Sequence, residues 1–292
     1  MKFADVGQQL RAYRLESGMR AEEIAARLGV SRAALYRYEK GEVIKLETIR
    51  RLAELLKISP LSLLGIGVEY FSRPTAYAER LRNLEDQADQ LLQVGGRLVQ
   101  PLTTDAFDGA MTEAWTEAAE ASADRALARG AIEQALQTLA QRKRNHQSRR
   151  PNVTAILSEA AVRRLLQDGI CGGMALPERT RARCRIAAAA EMASIATMME
   201  NAPIGLQIGF AHGNEPSGTF RIIRGRDRAH VITSPFNLDG MPWVSTGVTA
   251  ITSADDAVAA HQRVAEGLWR DALKGAEAAS RLRALIQEAE AG

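Results

Sequence analysis

Cysteine is scarce in this sequence, with Cys171 and Cys184 alone among 292 residues. Twelve residues separate them, which fits no Cys-x-x-Cys or other metal spacing, so two reduced thiols are expected rather than a disulfide framework. The histidines His146, His212, His230 and His261 likewise stand at no metal-ligand spacing. No stretch of about 18 uninterrupted apolar residues occurs, which argues against a membrane-spanning helix. The opening Met1-Lys2-Phe3-Ala4-Asp5 has no apolar run followed by a small-residue cleavage site, so the chain is expected to stay in the cytoplasm. Signatures of catalysis are also missing: there is no Gly-x-Ser-x-Gly, phosphate loop or paired-carboxylate motif. Gly65-Ile66-Gly67 lacks the preceding strand and third glycine of a dinucleotide loop. The expectation is a protein that is not an enzyme and needs no cofactor or metal.

Aromatic residues make up only 5% of the chain, whereas alanine recurs, notably in Ala187–Ala190 and across 118–128. That balance favours helices packed closely through small side chains. Apolar residues at 46% and charged residues at 25% are the proportions of an ordinary globular protein, and 292 residues exceed what one core usually organises. The net charge of +3 is unevenly spread. Residues 1–67 carry twelve Lys/Arg against eight Asp/Glu, net +4, which leaves the remaining 225 residues at −1. An anionic partner would therefore meet the N-terminal part.

Periodicity divides the chain into three. Five short helical patterns fill residues 5–65, punctuated by Gly18, Gly29 and Gly41 and with Pro60 opening the last. Leu81, Leu84, Ala88 and Leu91 then follow the spacing of an amphipathic helix ending near Gly95-Gly96. A further helical stretch from about Phe107 to Arg144, with Gly130 as a break point, closes in the basic run Arg142 to Arg150, read as a solvated helix end or as an auxiliary phosphate contact. Beyond Pro151, Val153–Leu157 reads as a strand, Ser158 as the cap of a helix to Leu166, and Pro177–Asn201 as a long helix. Strands are expected at 204–211, 219–224, 228–233 and 244–252, and a terminal helix opens at Ser253. The expected fold is mostly α with an α+β C-terminal domain: a helix-turn-helix unit at 1–67, a helical linker and dimerisation region at 68–150, and an α+β regulatory domain at 151–292.

The N-terminal motif carries the functional reading. Ile24, Ala25 and Leu28 form one apolar stripe, and Ala25 is small where a second helix must cross closely. Gly29 supplies the left-handed turn, and Ser31 caps the next helix. Leu35 and Tyr38 face inward, leaving Arg32, Ala33, Tyr36, Arg37 and Lys40 on an outward cationic and aromatic face suited to a major groove. These residues resemble the Cro and phage-repressor type of helix-turn-helix, the XRE family. The resemblance spans about residues 6–65, through Leu10, Arg11, Arg14 and Gly18, then Ile24 to Ser31, Glu39 with Gly41, and the closing Leu46 to Lys57. Ala21 and Lys45 stand where that family usually has Gln and often Pro, so its operator preference cannot be copied. The resemblance implies double-stranded operator DNA as partner, with Arg20, Ser31, Arg32, Ala33, Tyr36, Arg37 and Lys40 as contact residues and an Arg14–Glu39 ion pair.

A homodimer is expected, with Leu81, Leu84 and Leu91 either forming its seam or packing within their own chain. Residues 151–292 are expected to hold a small-molecule effector. Arg221 and Arg224 would meet an anionic group, Phe236 and Trp243 would give flat walls, and Gly169, Gly172 and Gly173 would form a flap. The other reading is an antitoxin- or adaptor-like protein whose C-terminal domain binds a partner protein.

Overall fold

The structure, a computed structural model, describes residues 3–64, 67–170, 172, 174–237 and 239–291. Cys171, Gly173, and the Gly65-Ile66 part of the glycine triplet lie outside the described residues. Glycines and capping residues stop each N-terminal apolar stripe after a few turns, giving α1 (Phe3–Ser17), α2 (Ala21–Leu28), α3 (Arg32–Glu39), α4 (Leu46–Leu56) and α5 (Pro60–Leu63). Leu10, Ile24, Leu35, Leu52 and Leu63 meet in their common core, fully buried.

Among the described residues, eight strands follow in one sheet, interleaved with helices. The order along the chain is β1 (Val68–Phe71), α6 (Pro74–Glu85), β2 (Ala88–Gly96), α7 (Asp105–Glu120), α8 (Arg125–Arg149), β3 (Asn152–Ser158), α9 (Glu159–Asp168) and α10 (Glu178–Asn201). Then come β4 (Leu206–Ala211), β5 (Phe220–Gly225), β6 (Ala229–Thr233), β7 (Thr249–Thr252), α11 (Asp255–Asp271), β8 (Leu273–Lys274) and α12 (Gly275–Ala291). Across the sheet the strands lie in the order β1-β7-β6-β5-β2-β3-β4-β8. β2, β3 and β4 run parallel, and the other neighbours are antiparallel.

Side chains alternate across this sheet with the strand period of two. Leu92, Val94, Ile156, Ile222 and Val231 face α11, meeting Val258, Ala265 and Trp269. On the opposite face, Ala155, Leu157 and Phe210 pack under α7 to α10 and α12, while Ile223, Ile232 and Ile251 pack under α6 and the N-terminal helices. Fully burying one such residue, Leu81 of α6 for example, contributes about 1.5–3 kcal/mol. Among the described residues no helix is long and apolar enough to cross a membrane.

Several sequence expectations are corrected. Leu81 and Leu84 belong to α6, but Ala88 and Leu91 lie in β2. Leucine and glutamine favour a helix by small amounts, and pairing with β3 on one side and β5 on the other overrides that preference and makes this segment a strand. The segment 68–150 is therefore not a purely helical linker, since it supplies β1 and β2. Nor does residue 150 divide two units, because β2 and β3 lie side by side across it. The break in the second helical stretch falls at Ala121–Asp124, where Asp124 caps α8 by accepting the Leu127 amide at 2.9 Å, and Gly130 sits inside that helix. The terminal helix is two helices, parted by β8. Leu81 and Leu84 are buried within their own chain, which decides that alternative. In the basic run, Arg142 is also buried, clamped by Glu85 at 2.6 and 2.8 Å, and is no solvated helix end.

Candidate nucleic-acid interface

The helix-turn-helix is built by backbone geometry before side chains are considered. Gly29 ends α2 at φ 72°, a left-handed conformation that other residues adopt only at a steric cost. Ser31 then accepts the Ala34 amide at 3.1 Å, satisfying a free donor at the start of α3. Ala21, Ile24, Ala25 and Leu28 of α2 and Ala34 and Leu35 of α3 are buried. The rest of α3 is thereby turned outward. Gly7 lets α1 approach the end of α3, since a Cβ there would stand 2.4 Å from the Tyr38 carbonyl oxygen.

Arg20, Ser31, Arg32, Ala33, Tyr36, Arg37 and Lys40 are all exposed, so the residues singled out in the sequence share the outer surface of α3 and its approach. Two of the cations are held by surface partners. Arg32 pairs with Glu22 at 2.7 Å, donates to the Tyr36 hydroxyl at 3.2 Å and lies 5.3 Å from that ring's centroid. Arg37 pairs with Glu42 at 2.9 Å. Exposed pairs of this kind contribute about 0–1 kcal/mol, little enough for a phosphate or a guanine edge to replace Glu22 or Glu42.

The expected Arg14–Glu39 pair is present as a two-pronged contact, 2.5 Å from Nε to Oε1 and 3.1 Å from Nη2 to Oε2. It fastens α1 to the last residue of α3. Glu39→Ala is expected to destabilise the protein by about 2–3 kcal/mol, somewhat below the cost of opening a fully buried pair from one side. Urea unfolding measures that loss, and base preference in a binding-site selection should stay as in the parent.

A second set of contacts, which the sequence reading missed, joins this unit to the sheet. Glu69 of β1 accepts two bonds from Arg80 of α6, at 2.7 and 2.8 Å, and a third from Gln9 of α1 at 3.2 Å. Glu16 of α1 receives the Ser72 and Arg73 amides at 2.7 and 2.8 Å, capping α6 from another helix. Charged residues on outward helix positions gave no signal for this. Such partners become visible only when β1 and α6 are placed against α1.

The expected effector residues do not converge. Arg221 and Phe236 line one cavity of about 60 Å³. Arg224, three positions along β5, falls on the opposite face and donates to Gln262 of α11 at 3.1 Å. Trp243 packs against the main core. Gly169 lies against Cys184 and Arg185 of α10, away from that cavity, and so forms no flap over it.

Residues 5–63 match the family model of a helix-turn-helix domain, and this segment is such a domain. No curated protein matches the sequence at a significant level. Among solved structures, TrmBL2, an archaeal chromatin protein described as showing a novel mode of DNA binding, is 10% identical with a TM-score of 0.35, covering 78% of this chain and 61% of its own. A phosphatidylserine synthase from Haemophilus influenzae Rd KW20 is 8% identical with a TM-score of 0.39, covering 91% of this chain and 57% of its own. This chain thus spans about three fifths of the length of either neighbour. Both scores fall below the level of a shared fold, so neither neighbour's activity bears on it.

Proposed function

We propose that this protein is a sequence-specific, DNA-binding transcriptional regulator of the XRE type, acting in the cytoplasm as a homodimer whose sheet-containing body receives a signal. Binding rather than catalysis is its proposed role. The observation that carries the reading is the outer surface of α3, where Arg32, Arg37 and Lys40 stand exposed on a helix whose inner side is locked into the helix-turn-helix core. A helix of eight residues with cations on its outer side fits the major groove, and arginine pairs bidentately with guanine.

Arg37→Ala is expected to relax sequence preference at one base pair, a discrimination of about 1–3 kcal/mol. Lys40→Ala should weaken all sequences alike and lower the slope of log affinity against log salt by about one unit. Binding-site selection with parent and variants separates the two. An Arg37→Ala protein that selected the parental site with undiminished stringency would contradict the assignment.

Two copies are proposed because one such domain makes few base contacts, whereas two read half-sites about 34–36 Å apart. Leu81 and Leu84 are consumed in the chain's own core, so the dimer must use another surface. Light scattering is expected to give twice the chain mass at micromolar concentration. A monomer with and without operator DNA would exclude the dimer.

A further inference from the structure

Arg221 is a half-buried cation whose side chain makes no hydrogen bond or ion pair among the described residues. It lies in register with Gln93 of β2 and Ile232 of β6, on the face of the sheet that packs under α6. The other charges around the same cavity are already matched. Arg97 pairs with Asp239, and Asp108 pairs with Lys143. The cavity therefore presents one cation that is not engaged in an ion pair, a ready counter-charge for an anion.

The walls limit what that anion can be. A cavity of about 60 Å³ holds roughly four to six water-sized groups, at about 10–15 Å³ for each. Tyr77 and Phe236 supply apolar surface, their ring centroids 6.2 Å apart. We propose that this cavity binds a small organic monoanion, a carboxylate of about four to six non-hydrogen atoms, with its charged end on Arg221 and its short tail against Tyr77 and Phe236. The planar guanidinium fork matches a carboxylate in two parallel hydrogen bonds. The site gives a ligand class to the signal reception proposed above, and its regulatory meaning rests on that reading. Tyr77 stands on α6, the helix whose Arg80 and Glu79 hold α1 through Glu69 and Arg11.

Calorimetric titration of the full chain with sodium acetate, sodium glycolate and inorganic phosphate, at matched ionic strength, tests the site. One carboxylate per chain is expected, with a Kd of about 0.1–10 mM for a ligand of this size. Arg221→Gln should weaken it at least about tenfold, and Arg221→Lys, which keeps the charge but loses the fork, by an intermediate factor. Arg221→Lys serves as the deciding variant if Arg221→Gln fails to fold. Absence of saturable binding to the parent, equal binding by folded variants, or a preference for phosphate over both carboxylates would each overturn the proposal. Operator binding by the ligand-free parent, measured alongside, tests the regulator reading separately: its loss would leave the carboxylate site standing, and failed titrations would leave DNA binding untouched.

Discussion

Arg80→Met is expected to destabilise the protein by about 3–5 kcal/mol. The Arg80 and Glu69 side chains are only 7% and 5% exposed, so removing the guanidinium leaves a carboxylate in a low-dielectric setting, with the neutral Gln9 amide donating to it at 3.2 Å. Burial first and the Glu69 charge second push the neighbouring Tyr13 phenol's pKa upward, so it stays neutral and brings no charge to offset Glu69. The penalty comes from one orphaned charge rather than from lost packing. Arg80→Met combined with Glu69→Leu should therefore recover most of the loss, since replacing a buried pair by apolar groups of similar size is often neutral or stabilising. Urea midpoints of parent, single and double variants check this. A single variant within about 1 kcal/mol of the parent, or a double variant no better than the single, would contradict the account.

Glu159→Gln is the second large effect, and it should depend on pH. Glu159 opens α9 at the end of β3 and accepts hydrogen bonds from Arg281 of α12, from His212 at 2.6 Å and from Arg163 at 3.1 Å. The Arg281 hydrogen bond, foremost, holds its carboxyl at about 2, against an ordinary value of 4.5. A folded pKa below the unfolded one means that the ionised form stabilises the fold. The contribution is complete above the unfolded value and disappears as pH falls from about 4.5 to about 2. At about 1.4 kcal/mol for each unit, reduced for screening by solvent, the parent should exceed Glu159→Gln by about 2–3 kcal/mol near pH 7. The gap should close in acid. Unfolding curves across that range check it, and a gap that stayed constant down to pH 3 would refute the linkage.

Features that depend on nearby residues were legible in the sequence. Gly29, Ser31 and the stripe of Ile24, Ala25 and Leu28 announced the helix-turn-helix because cap, turn and apolar face all lie within one short window. The same holds for β3 and its Ser158-capped helix, where Ser158 accepts the Ala161 amide at 3.1 Å. Strands defined by distant partners were less visible. β1 has four residues and, among the described residues, pairs with β7 alone, about 180 positions later, and Val68 to Phe71 offers too short an alternation to stand out. Leu91 kept a helical spacing by coincidence while its backbone bonds go to β3 and β5. The arginines at 221 and 224 looked like one cluster in the linear sequence, but strand alternation sends them to opposite faces. Their separation follows from parity, which could have been applied once 219–224 was read as a strand.

Glu16 and Gln9 tie α1 to the β1–α6 segment, and the Arg14–Glu39 pair ties α3 to α1, so α3 has a fixed mounting on the sheet. In the proposed dimer this makes helical phase, rather than distance alone, the quantity an operator must satisfy. One base pair inserted between half-sites moves the second by only about 3.4 Å along the axis but turns it by about 35° around the duplex. A domain on a slack tether would follow that rotation. One anchored to the sheet must twist the DNA or let go, so single-base-pair changes in spacing should be tolerated poorly, while whole-turn insertions gain nothing unless the dimer surface itself can stretch.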